Sequence, residues 1–263
     1  MENDSIVLLF DLDETLALSF KPVSDEMKSY LLMCKEKGYR IALVSGSDFK
    51  KVASQLNPEF SKNFDFLFCE NGTQVYKNGE LVHSESIVNF LPDSLYKDLV
   101  NYVLVYISKL DIPKKRGCFI ELRNSIINIS PIGRNCSEPE RHEFYEYDCV
   151  EKVRLKMCQD LTQRFNYSLN YSHCIIILRF MNSEPKLHFS VGGKISVDVF
   201  PEGWSKTFCL QFLDGYKTIH FFGDMTDPGG NDYEIFVDPR VIGHKVLNYH
   251  DTIKQLNELF LNK

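Results

Sequence analysis

The sequence predicts an α/β fold: a doubly wound, mainly parallel sheet core with an inserted α+β cap domain. Three observations carry this. Short, continuous apolar runs alternate with amphipathic helical stretches over residues 6–68, the rhythm of strands covered on both faces by helices. That rhythm stops near residue 85, gives way to paired strands followed by helices, and resumes after Trp204. Finally, two of the apolar runs, residues 6–10 and 218–222, are each followed at once or within two residues by a carboxylate, Asp11 and Asp224. The expected core therefore comprises residues 1–84 and 204–263, with residues 85–203 as the inserted domain.

Residues 6–10 (Ile-Val-Leu-Leu-Phe) form the first predicted strand, and residues 24–37 a helix capped by Ser24 and ended before Gly38. Strand 41–44, helix 48–56 and strand 64–68 continue the pattern. Residues 73–82 then carry Asn78-Gly79, a tight-hairpin signal. A long amphipathic helix over 94–110 opens the insert. It continues with strands at 119–122 and 126–129, helical stretches at 139–147 and 153–165, and strands at 187–191 and 195–200. After Trp204 come a short helix, the strand 218–222 and a terminal helix from Asp251.

A length of 263 residues and a hydrophobic content of 44% suffice for such a core. A net charge of −6 and a pI near 5.7 give no general attraction to nucleic acid or to an anionic membrane, so any anion site must be built locally from Lys and Arg. No signal-like N-terminal segment or membrane-length apolar stretch is evident, so a cytoplasmic protein is expected. Cys34, Cys69, Cys118, Cys136, Cys149, Cys158, Cys174 and Cys209 form no Cys-x-x-Cys pair, which speaks against structural zinc. His220, beside two phenylalanines, reads as structural.

The chemistry begins with Asp11-Leu12-Asp13-Glu14-Thr15. Alternation along an extended chain lets Asp11 and Asp13 point the same way. Two close carboxylates repel unless a cation or a shared proton relieves them, and Mg²⁺, which prefers oxygen ligands, meets that need. Asp11 is the candidate nucleophile toward phosphorus, and Asp13 the candidate general acid and base. An isolated Asp-x-Asp is most often an acidic turn. The preceding strand, Thr15 and a second acidic site downstream argue against that here. Asp224, delivered by Phe222-Gly223, is the further metal-ligand candidate, and the turn Pro228-Gly-Gly-Asn-Asp232 that follows carries two more polar groups, Asn231 and Asp232, that could steady the site. Ser45 and Ser47 lie at the next strand end and open a helix, a plausible phosphate cradle as well as an ordinary cap. Lys206 supplies the positive charge an aspartyl-phosphate needs.

Lys114-Lys115-Arg116, Arg123, Arg134 and Arg141 crowd the insert and suggest a second anion site, although Lys114 and Lys115 read more simply as solvated. Ser196 and Asp198 alternate along one strand and suit sugar hydroxyls. A phosphatase needs one phosphate site; an enzyme that moves phosphate between two positions of a sugar needs two.

Taken together, these residues resemble the haloacid dehalogenase superfamily, and more specifically its eukaryotic phosphomannomutase family. The resemblance rests on Phe10-Asp-Leu-Asp-Glu-Thr15, Gly46-Ser-Asp-Phe49, Glu70-Asn-Gly72, Pro113-Lys-Lys-Arg-Gly117, Ser130-Pro-Ile-Gly-Arg134, Gly192-Gly-Lys-Ile-Ser-Val-Asp-Val-Phe-Pro201, Asp214-Gly-Tyr-Lys-Thr218, Phe222-Gly-Asp224 and Pro228-Gly-Gly-Asn-Asp232. It implies a Mg²⁺-dependent interconversion of mannose 6-phosphate and mannose 1-phosphate, primed by a hexose 1,6-bisphosphate and feeding GDP-mannose and glycosylation. It implies that Lys21, Arg123, Arg134, Arg141, Ser196 and Asp198 bind the hexose phosphate, and that the cap forms a homodimer. Asp11, the Asp13 carbonyl and Asp224 would hold Mg²⁺, with a second cation at Phe236, Asp238 and Val241. Glu14 stands where the family has glycine. Lys21 stands where it has arginine, keeping the charge but losing the bidentate fork. The stretch 166–185, with an apolar run at 175–178, is longer than the family's connection. It reads as an extra cap strand, a disordered excursion or a gene-model error. A sugar-phosphate phosphatase on the same scaffold is the alternative reading, and a non-catalytic binding protein a more distant one.

Overall fold

The computed structural model describes residues 2–19, 21–166 and 185–262. The chain folds as two compact units, Met1–Ser84 with Gly203–Lys263, and Glu85–Glu202.

The first unit is built on a seven-stranded sheet of β1 (Ile6–Phe10), β2 (Arg40–Val44), β3 (Phe66–Cys69), β4 (Gln74–Lys77), β5 (Glu80–Ser84), β10 (Thr218–Gly223) and β11 (Val241–Lys245), in the order β11-β10-β1-β2-β3-β4-β5. The five strands from β11 to β3 are parallel, and β4 and β5 join antiparallel. Because β1 lies between β2 and β10, the strand order reverses at β1, and the carboxyl end of β1 is the topological switch point where such sheets hold ligands.

Alternation along β1 explains the two cores. Leu8 and Phe10 pack with Met27 and Leu31 of α1 (Asp25–Glu36), whereas Val7 and Leu9 pack with Cys209 and Leu210 of the 3₁₀ helix Lys206–Phe212. Phe10 stacks on Phe222 of the neighbouring strand with centroids 5.0 Å apart. Ser24 caps α1 by accepting from the Met27 N–H, and Asp48 caps α2 (Phe49–Leu56) by accepting from the Lys51 N–H. Asn78 and Gly79 both take positive φ, 53° and 84°, as a two-residue hairpin with right-handed strand twist requires.

The second unit holds the antiparallel sheet β6-β7-β9-β8, formed by β6 (Ile120–Leu122), β7 (Ile127–Ile129), β9 (Ser196–Pro201) and β8 (Leu187–Gly192). Its helices include α5 (Asp93–Lys109), α6 (Glu138–Glu151) and α7 (Val153–Asn166), numbered after the short helices α3 (Pro58–Ser61) and α4 (Ile87–Phe90). Ser137 and Glu140 form a reciprocal capping box on α6. The Asn166 side chain bonds both backbone groups of Leu187, at 2.7 and 3.1 Å, and so joins the end of α7 to the start of β8. Between them, residues 167–184, with the apolar run singled out by the sequence, lie outside the described residues.

The fold is the predicted one: a mainly parallel α/β sheet plus a separate antiparallel α+β unit. Strand β11 and the helices α3, α4 and Tyr233–Phe236 go beyond the sequence reading, and α6 runs farther in both directions than the 139–147 expected. Among the described residues, no helix is long and apolar enough to cross a membrane.

Candidate active site

Three neighbouring strands bring the first site together at their carboxyl ends. Asp11 follows β1, and its N–H continues the parallel pairing by donating to the Phe222 carbonyl at 2.9 Å. Asp224 follows β10, and Ser45 follows β2. Asp11 is 6% exposed and Lys206 1%. The Lys206 ammonium lies 2.5 Å from Asp11 Oδ1 and 2.6 Å from Asp232 Oδ1. Carboxylate oxygens of Asp11, Asp224 and Asp232 lie within 4.8 Å of one another.

Asp232 is the member that strand-end logic misses. It arrives from the loop after Pro228-Gly229-Gly230 and is fully buried, and its second oxygen accepts from the Met225 N–H at 3.2 Å. Gly223 admits it: a Cβ at that position would lie 2.6 Å from Asp232 Oδ2. The usable signal is a strand ending in Gly-Asp with a second aspartate in the following glycine-rich turn.

Electrostatically the cluster is strained toward neutrality. Burial, against the pull of Lys206 and with the push of Asp232, raises Asp11 from the usual carboxylate range to about 7. Burial and the neighbouring Asp232 raise Asp224 to about 6. Lys206, between two carboxylates, is held protonated despite its burial. Three carboxyl groups around one ammonium form an oxygen-rich cluster, a donor set suited to a small hard cation.

Asp13 takes a different course. The strand ends at Phe10, so simple alternation no longer governs Asp13, and its carboxylate accepts from Lys51 Nζ at 2.8 Å and Gln55 Nε2 at 3.0 Å. Gln55 also donates to the backbone carbonyl of Lys21 at 3.1 Å, so one amide ties the acidic loop to the segment before α1. The Lys21 side chain is exposed. Glu14 sits at φ 62°, a left-handed conformation in which glycine carries no penalty, and its carboxylate accepts from the Ser19 N–H at 2.9 Å. Ser45 is buried and its hydroxyl accepts from the Ser47 N–H at 3.1 Å, shaping the turn into α2.

The second unit carries its own polar network. The antiparallel register sets Glu121 opposite Asn128 and Asn128 opposite Asp198, so these three side chains form one row across β6, β7 and β9. Arg123 pairs with Glu121 at 2.7 Å, and Arg134 reaches the same carboxylate at 3.1 Å and Asn128 Oδ1 at 2.6 Å. Asn128 in turn donates to Asp198 at 2.5 Å. Burial raises the Asp198 carboxyl above its usual range, opposed by Asn128 and by Arg123 and Arg134. Glu121 and Asn128 were not candidates from sequence; only cross-strand register reveals them.

Arg141 sits on α6 and pairs with Glu138 at 3.5 Å. The other cations of the cluster have structural partners: Lys114 with Glu143, Lys115 with the Ile107 carbonyl and Arg116 with Glu140. Gly133 explains why the Pro113–Gly117 and Ser130–Arg134 motifs occur together, since a Cβ there would lie 2.3 Å from the Gly117 carbonyl oxygen. Near the suggested second cation site, Asp238 is held by the Arg240 N–H and guanidinium at 2.8–2.9 Å, with Phe236 and Val241 at the two ends of that turn.

A parallel sheet with a carboxylate cluster at its switch point and an antiparallel insert defines a haloacid dehalogenase-like fold. A haloacid dehalogenase-like hydrolase from Bacteroides thetaiotaomicron matches it with a TM-score of 0.54 at 14% identity, covering 97% of this chain and 99% of that one. The family model for eukaryotic phosphomannomutase matches residues 27–178 and 173–262, two stretches that meet within the long 166–185 connection. A phosphomannomutase from Oryza sativa subsp. indica is 44% identical over 262 residues, covering 100% of this chain and 98% of the relative. Another from Arabidopsis thaliana is 43% identical over 257 residues, covering 98% and 97%. The chain belongs to the eukaryotic phosphomannomutase family and is thereby an isomerase of the haloacid dehalogenase superfamily.

Proposed function

We propose that the chain interconverts mannose 6-phosphate and mannose 1-phosphate through a phosphorylated Asp11, with a hexose 1,6-bisphosphate as activator and intermediate. The observation that supports this most strongly is the buried Asp11–Lys206 pair within the three-carboxylate cluster at the switch point of a chain of this family. The donor set fits Mg²⁺, because burial disfavours ionised Asp11 and Asp224 until a cation joins them. Asp11, Asp224 and the Asp13 carbonyl would hold it, with Asp232 alongside, and Phe236, Asp238 and Val241 would hold a second cation. When bound, Mg²⁺ supplies positive charge against the oxygens of the transferred phosphoryl group.

The chain's own residues then account for the chemistry. An Asp11 oxygen forms a bond to phosphorus as the bond from phosphorus to the sugar oxygen breaks, and Asp13 gives that oxygen its proton. The bisphosphate is thereby left as a hexose monophosphate; in the return direction Asp13 takes the proton of the free hydroxyl of a hexose monophosphate, whose oxygen bonds to phosphorus as the Asp11–phosphorus bond breaks, re-forming the bisphosphate. Lys206 stays charged throughout and balances Asp11, while Ser45 and Ser47 shape the phosphate-binding turn. Lys21, Arg123, Arg134, Arg141, Ser196 and Asp198 bind the hexose phosphate. Arg123 and Arg134 share the carboxylate of Glu121 with Asp198 beside them, so cations and hydrogen-bond acceptors for a sugar phosphate lie in one network. The second unit serves as cap and homodimer surface, and the enzyme works in the cytoplasm to supply GDP-mannose synthesis.

Intact-protein mass spectrometry after brief incubation with Mg²⁺ and glucose 1,6-bisphosphate tests this reading. One added phosphoryl group, absent in Asp11→Asn, is expected. A phosphorylated Asp11→Asn protein would remove Asp11 from the nucleophile's role.

A further inference from the structure

One buried ion pair lies outside the site residues named so far. Asp148, in the last turn of α6, is 6% exposed, and Arg154, in the first turn of α7, is 3% exposed. Asp148 Oδ1 accepts from the Arg154 N–H and Oδ2 from Arg154 Nε, both at 2.8 Å. These bonds close the corner between the two helices, where Lys152 takes a left-handed φ of 56°. The rest of the guanidinium faces another element. Arg154 Nη1 donates to the carbonyls of Gly193 at 2.6 Å, Gly192 at 3.2 Å and Ser196 at 3.4 Å.

Those three carbonyls belong to the turn from β8 into β9. The Ser196 hydroxyl donates to the same Gly192 carbonyl at 2.9 Å. Gly192 also bears directly on Asp198, since a Cβ there would lie 2.2 Å from Asp198 Oδ2. One guanidinium thus fixes the backbone on which both Ser196 and Asp198 depend. Stability alone is a poor reason for such a pair, because apolar residues of similar volume often serve a buried position as well or better. A fixed fork that reaches one carboxylate and three carbonyls is a geometric device, and lysine cannot reproduce it.

We infer that Arg154, anchored by Asp148, is a positioning residue for hexose phosphate binding, holding the 192–196 turn so that Ser196 and Asp198 are set for the sugar phosphate. This rests on the reading of Ser196 and Asp198 as substrate contacts.

The test is a kinetic cycle on the full chain with mannose 1-phosphate at fixed Mg²⁺ and bisphosphate. Wild type, Arg154→Lys, the double variant Ser196→Ala/Asp198→Asn and the triple combination are compared, each with its melting temperature. Arg154→Lys is expected to raise KM about ten-fold while changing kcat by less than about two-fold, the signature of lost binding. In the Ser196→Ala/Asp198→Asn background its added effect on KM should shrink to less than about two-fold, because the residues act as one unit. Asp148→Asn, which keeps an acceptor but loses the charge, should give a smaller KM rise of about three-fold, and it carries the test if Arg154→Lys does not fold. A lowered melting temperature with unchanged KM, or an equal KM effect in both backgrounds, would overturn the inference. If Ser196→Ala/Asp198→Asn itself leaves KM unchanged, the assignment of those two residues fails, a result distinct from an unresponsive Arg154.

Discussion

Lys206 touches both Asp11 and Asp232, and this contact makes the charge balance of the site testable at the scale of single residues. Asp11→Asn should lower turnover by at least ~10³-fold, as expected when a nucleophile is removed. The same change should raise the melting temperature of cation-free protein, and by more as the pH rises. The folded-state pKa of Asp11, about 7, stands above the unfolded value near 3.8. Between those values the folded wild type binds more protons than the unfolded chain, so wild-type stability falls as pH rises toward 7. Asparagine has no such dependence, so the difference between variant and wild type should grow from pH 5 to about pH 7 and then flatten. Thermal melts in chelator across that range check it; a difference that shrinks with pH would contradict the burial argument. At this scale the sequence places Asp11 and Asp224 at strand ends, because strand ends are local features. It marks Asp232 only as a polar group of the glycine turn that could steady the site, because its approach to the cluster depends on the absent Cβ of Gly223, and it does not find the Lys51 and Gln55 partners of Asp13, which α2 supplies. Glu14 is compatible with the position usually held by glycine, its left-handed backbone being tied by the bond to Ser19.

At the scale of elements, β10 carries both the core and the site. Phe222 is fully buried and stacks on Phe10 and on the His244 ring, with centroids 5.0 and 4.5 Å away, one residue before Gly223 and two before Asp224. Phe222→Ala should cost roughly 3–5 kcal/mol in urea unfolding, the range for removing a buried aromatic side chain. A loss below ~1 kcal/mol would mean that the two rings contribute little to the sheet. Continuous apolar strands and cap residues are what a sequence displays best, and β1, β2, α1, α2 and the Asn78-Gly79 hairpin are all legible from them. Strand β11 is not, because Val-Ile-Gly-His-Lys at a sheet edge is short, half-exposed and interrupted by glycine. The row Glu121–Asn128–Asp198 is equally hidden, since it exists only once the register of three strands is set.

For the whole molecule, each of the two units carries its own polar network, and the proposed reaction draws on both. A buried carboxylate beside Lys206, the proposed nucleophile, is common ground for phosphatase and mutase chemistry; the arginine network of the second unit is what an enzyme handling two phosphate positions would add. The family match spans both units, whereas composition alone said only that the net charge of −6 gives no general attraction to nucleic acid. The most direct test is therefore an assay on purified protein with Mg²⁺ and mannose 1-phosphate, with and without glucose 1,6-bisphosphate, following mannose 6-phosphate and free phosphate together. The account predicts bisphosphate-stimulated isomerisation with little phosphate released. Phosphate release without isomerisation would contradict it and make the chain a sugar-phosphate phosphatase.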